Sequence, residues 1–67
     1  MLKIEIEKEE DGRWIAEVPE LLGVLAYGPT EAEARTKATA LALHVIADRI
    51  EHGEAVPFEL SELFVAA

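Results

Sequence analysis

The chain has no cysteine, so no disulfide and no thiolate metal site supports its fold. It also has no asparagine or glutamine and a single methionine. Depletion of these heat-labile residues is the pattern of thermophile proteins. Cations are scarce: Lys3, Lys8, Arg13, Arg35, Lys37 and Arg49 are scattered against 14 acids, for a net charge of −8. Direct binding to nucleic acid, which needs a basic face, is not expected. An acidic surface suits a basic protein partner or serves solubility alone. Charges interrupt the N-terminal stretch at every second position, unlike a signal peptide, and no apolar run approaches the length of a membrane span. The expectation is a soluble, cytoplasmic protein.

What is present fits one domain over residues 1–67. A chain this short buries only roughly 60% of its unfolded surface, so oligomerisation or a bound partner is the remaining common aid to stability. Residues 30–53 form the longest patterned stretch and predict a helix. Thr30 and Glu33 make a capping box, with Glu31 and Glu33 at the positive end of the helix dipole. Arg49 and His52 sit at the negative end, Gly53 supplies a stop and Pro57 blocks continuation. At 100° per residue the apolar positions fall on two faces. Ala34, Ala38, Leu41 and Val45, flanked by Ala42 and Ile46, form one stripe suited to close approach on a sheet. Leu43, Ala47 and Ile50 point the opposite way, either towards a second copy or partner, or under the C-terminal tail.

Ahead of the helix, residues 2–9 alternate, with Leu2, Ile4 and Ile6 on one face and Lys3, Glu5 and Glu7 on the other. Asp11-Gly12 signals a hairpin, and residues 14–18 return with Trp14, Ala16 and Val18 inward. Pro19 and Gly23 bracket a loop. Residues 24–27 predict a third strand whose inward face is either Val24/Ala26 or Leu25/Tyr27. Residues 58–65 predict a last extended segment, best as a strand over 62–65. The expected fold class is α+β, a two-layer β-β-β-α-β sandwich.

Asp11-Gly12, Trp14, Ala16, Pro19-Glu20-Leu21, Gly23-Val24, Gly28, Thr30, Ala34, Gly53-Glu54 and Pro57, in this order and spacing, resemble the N-terminal domain of HicB-type antitoxins. The likeness covers nearly the whole chain. It implies a partial ribonuclease H-like fold, and a protein-binding role with no chemistry of its own: neutralising a small basic HicA-type toxin that cleaves mRNA. Two departures limit what carries over. Only fourteen residues follow Gly53 and none is basic, so the DNA-binding module usual in the family is not expected. Where many relatives read Leu-Pro-Gly, this chain has Leu21-Leu22-Gly23.

No enzymatic constellation stands out. A ribonuclease H-like two-metal site needs several acids converging at the sheet centre, whereas Ile4 and Ile6 occupy the inward positions there. His44, Asp48 and His52 share a helix face at i, i+4, i+8, a spacing that can hold zinc, yet one helix seldom completes a site. Helix polarity explains them equally well. Gly12, Gly23, Gly28 and Gly53 are isolated turn residues and make no phosphate cradle, and no Ser lies in a nucleophile motif. No catalytic residue, metal or cofactor is expected. Glu5, Glu7 and Glu17 are the expected partner-binding residues, and Leu43, Ala47 and Ile50 the expected contact of a homo-oligomer, dimer or tetramer. The alternative is an oligomeric scaffold or small-ligand binder with no toxin.

Overall fold

The computed structural model describes residues 2–65. Three short strands, β1 (Glu5–Lys8), β2 (Trp14–Glu17) and β3 (Leu25–Gly28), precede a single long helix, α1 (Glu31–Glu51). The strands form one antiparallel sheet in the order β1-β2-β3, and α1 packs across one face. The α+β two-layer arrangement is the one the sequence predicts.

The first hairpin closes through a three-residue loop, with the Glu9 N–H donating to Arg13 O at 2.7 Å and the Gly12 N–H to Glu9 O at 3.0 Å. The second is tied more elaborately. The Val18 N–H donates to Val24 O, Leu21 to Val18 O and Val24 to Leu21 O, each at 3.0 Å. Two turns therefore run back to back, and the second carries Gly23 at φ +83°, where a type II turn needs a left-handed residue. The arrangement tucks Leu21 inward at 1% exposure and throws Leu22 out into water.

The helix ends where the sequence says and for the same reasons. Thr30 Oγ1 accepts from the Glu33 N–H at 3.1 Å, and Glu31 pairs with Arg35 at 3.9 Å. At the far end the Gly53 N–H reaches Ile50 O and the Glu54 N–H reaches Arg49 O, the paired bonds of a Schellman stop.

The buried row of α1 is Ala34, Ala38, Ala42 and Ile46, an i, i+4 ladder, with Leu41 and Val45 half-buried beside it. An i+4 row turns about 40° per step on a helix of 3.6 residues per turn, so the buried line swings along the helix and meets two partners. Ala34 and Ala38 lie against Ala16, with Ile4, Ile6, Trp14 and Ala26 around them. Ala42 and Ile46 lie against Val18, Leu21 and Val24 of the second loop, with Leu2, Val56 and Phe58 closing the far side. Val24 and Ala26 are thus the inward face of the third strand, while Leu25 and Tyr27 are each 39% exposed on the other.

Gly28 is not a turn residue but the last residue of β3, paired with Trp14 and buried. A Cβ there would lie 2.6 Å from the backbone nitrogen of Ala34. Its missing side chain is what lets the helix begin against the sheet.

The predicted last strand does not form. Residues 62–65 join no sheet, and the segment holds a single 3-10 turn, Leu60–Glu62, instead. Leu60 and Leu63 are three apart, the period of that turn. Val56 and Phe58 pack under the C-terminal half of α1, so the chain leaves alongside the helix, not along a sheet edge.

Candidate functional site

The outer face of the sheet is covered by no element among the described residues. Strand alternation sends residues of odd number there, and the register fixes their neighbours. Glu5 stands opposite Glu17, which stands opposite Leu25; Glu7 stands opposite Ile15, which stands opposite Tyr27. The expected trio Glu5, Glu7 and Glu17 is therefore brought together on one surface. With Glu9 and Ile15 these residues ring a shallow concavity of about 370 Å³. Glu9 belongs to this ring although sequence reasoning passed over it; its odd position in the alternation of residues 2–9 was the available signal.

Directly opposed like charges destabilise a strand pair. Among the described residues no cation lies within ion-pair distance of Glu5, Glu7, Glu9 or Glu17. The hairpin's two cations are engaged with other groups: Lys8 Nζ lies 5.9 Å from the Trp14 ring centre, and Arg13 holds Asp11 and Tyr27. Arg13 Nε donates to Asp11 Oδ2 at 2.7 Å, its backbone N–H donates to Asp11 Oδ1 at 3.0 Å, and its guanidinium lies 4.5 Å from the Tyr27 ring centre. The Arg13 backbone N–H, followed by the guanidinium, holds the Asp11 carboxyl below its ordinary value of 3.8. The face thus divides into an acidic half on β1 and β2 and a half on β3 carrying Leu25 and Tyr27.

The histidines resolve differently from their spacing. Among the described residues, His44 joins no cluster of potential metal ligands. Asp48, His52 and Glu54 place one ligand atom each within 4.8 Å of one another, the one such trio among the described residues, and all three are exposed. His52 Nδ1 donates to the Asp48 carbonyl at 2.8 Å and lies 3.3 Å from Asp48 Oδ1. That arrangement satisfies the last turn of the helix and needs no ion to explain it. The sheet-face carboxylates do not converge three together as a two-metal site requires.

Leu43 and Ile50, at 63% and 42% exposure, and Ala47, also exposed, lie on the side of α1 turned from the core. The tail approaches without covering them: Leu2, Leu43, Ile46, Phe58 and Leu63, together with Glu59 and Glu62, line a mainly apolar groove of about 370 Å³. No helix among the described residues is long and apolar enough to cross a membrane. Comparison of the chain with protein families, with curated proteins and with solved structures finds no match.

Proposed function

We propose that this chain is a HicB-like, antitoxin-type module that binds a small basic HicA-type toxin and shields the toxin's RNA-binding surface. The observation that carries the reading is the opposed Glu5–Glu17 pair with Glu7 beside it, on an uncovered sheet face where, among the described residues, no cation comes within ion-pair distance of these acids. Like-charged strand neighbours cost the free domain roughly 0.2–1 kcal/mol. A basic partner turns that cost into attraction. Leu25 and Tyr27 alongside supply the apolar contact that a purely charged face lacks. Occlusion needs no chemistry from this chain, which fits a sheet face whose acids do not converge on a metal position.

The test is reconstitution with a small basic protein encoded by an adjoining reading frame. The chain should co-purify with that protein, block its cleavage of RNA, and bind with a steep dependence on salt. Glu17→Lys should slow association about tenfold or more at low salt. Binding that ignores both salt and the charge reversal would overturn the acidic-face mechanism, and free RNA cleavage in the presence of excess chain would overturn the antitoxin reading.

A further inference from the structure

We infer that the side of α1 turned from the sheet docks on a second copy of this chain, the two helices running antiparallel about a two-fold axis near Leu43. Thr36, Ala40, Leu43, Ala47 and Ile50 recur at alternating spacings of four and three. That is the seam by which one helix lies along another. All five are exposed and none is charged. Thr39 borders the seam, and its hydroxyl is turned inward, donating to Arg35 O at 2.8 Å, so it adds no unmet polar group.

The exposed area leaves room for an interface of the size two copies would make. The chain exposes 5169 Å², whereas a folded monomer of 7.4 kDa exposes roughly 4,200 Å². The excess, about 1,000 Å², matches what one partner contributes to a standard interface, roughly 800 Å². The radius of gyration agrees: 13.7 Å against about 11 Å for a compact chain of this length.

Antiparallel order follows from the distribution of volume. The first half of the seam carries Thr36 and Ala40, the second Leu43 and Ile50. A parallel pair would set bulk against bulk at one end and leave a gap at the other. An antiparallel pair centred on Leu43 sets Ile50 of each copy against Thr36 of the other. It also seats the second copy's Leu43 at the groove between Leu43, Ile46, Phe58 and Leu63. This surface lies on the opposite side of the molecule from the sheet-face acids, so the inference stands apart from the toxin reading.

The experiment uses the full chain alone, so a missing toxin cannot affect it. Interfaces of standard size bind in the micromolar range or tighter, so sedimentation at about 100 µM should give twice the mass of 7.4 kDa. Leu43→Glu should weaken association about 30-fold or more while leaving the far-UV circular dichroism unchanged. Because the chain has no cysteine, single introduced thiols report the geometry. Facing Cα atoms of helices packed 8–10 Å apart fall within reach of a disulfide. Leu43→Cys should therefore cross-link to itself, and Thr36→Cys should cross-link to Ile50→Cys in a mixture but not to itself. A monomer at the stated concentration, or a Leu43→Glu variant that dimerises with the parent's affinity, overturns the inference. Self-cross-linking of Thr36→Cys overturns the antiparallel order.

Discussion

Replacing Gly28 by alanine exchanges one hydrogen for a methyl group at the point where helix and sheet are closest. The new Cβ would sit 2.6 Å from Ala34 N and 3.1 Å from both Ala34 Cα and Glu33 C. These are backbone atoms of the first helical turn, so no rotamer change relieves the contact. The helix must move off the strand by close to 1 Å, because ordinary contact begins at 3.4 Å. That displacement loosens Ala34 and Ala38, both at 0% exposure, from Ala16. Overpacking of this kind costs about 1–3 kcal/mol. Alanine recovers roughly 0.5–1 kcal/mol through its lower unfolded-state entropy within a strand. The net loss centres on about 1.25 kcal/mol, a sizeable fraction of the roughly 3–10 kcal/mol expected for a chain of this length. With an unfolding entropy near 2.1 cal/mol/K per residue, each kcal/mol is worth about 7 °C here. Thermal unfolding followed by circular dichroism, at matched protein concentration because self-association shifts the midpoint, should show Gly28→Ala melting about 9 °C lower. A variant that melts at or above the parent would refute the close-approach explanation of this glycine.

Other substitutions probe other links. Leu22 occupies the second position of the type II turn, is 93% exposed, and has no backbone partner for its N–H among the described bonds. Leu22→Pro, which restores the Leu-Pro-Gly of the resembled family, should stabilise by about 0.4–1 kcal/mol, read as a rise in denaturant midpoint without a change of slope. Thr30→Ala removes the acceptor of the Glu33 N–H and should cost about 1 kcal/mol by chemical denaturation. Glu17→Lys should raise the stability of the free chain by about 0.2–1 kcal/mol while, under the proposed antitoxin role, it impairs binding to a basic partner, a trade visible in paired melting and binding assays. The Asp11 carboxyl is held below 3.8, so its bond to Arg13 stabilises the hairpin above that pH and is lost as pH falls through the depressed value. Asp11→Asn should therefore flatten the stability curve only below about pH 4, as measured by pH-dependent melting.

The parts of this fold that were legible in the sequence are those written by local chemistry. The capping threonine, the Asp-Gly turn and the alanines at i, i+4 each impose their geometry within one or two turns of chain, and each is found in place. The terminal segment was misread because Phe58, Leu63, Phe64 and Val65 are apolar and suited to strands, while the contacts that decide their path are distant. Only the burial of Val56 and Phe58 under Ile46 shows that the chain follows the helix. Gly28 was misread for a similar reason, since its neighbour Ala34 is identified only once the helix is laid on the strand. In the candidate site, strand parity alone sufficed to group Glu5, Glu7 and Glu17, and carried consistently it would have added Glu9. The replacement of His44 by Glu54 beside Asp48 and His52 depends on the chain reversing after Gly53, which helical spacing cannot anticipate.

Every strand of the sheet pairs with its neighbour in sequence, and the helix follows directly from the third strand onto that sheet. The contact order is therefore low, and chains with mostly local contacts fold in microseconds to milliseconds. The order of pairing is also the order of synthesis: each hairpin can close before the next segment leaves the ribosome. Only the helix, arriving last, converts the meander into a cooperative unit. Until Ala34, Ala38, Ala42 and Ile46 have emerged, the inward faces of all three strands remain open to water. The vulnerable interval of this chain, when a chaperone or a protease meets it as a naked sheet, is consequently the time needed to translate one helix.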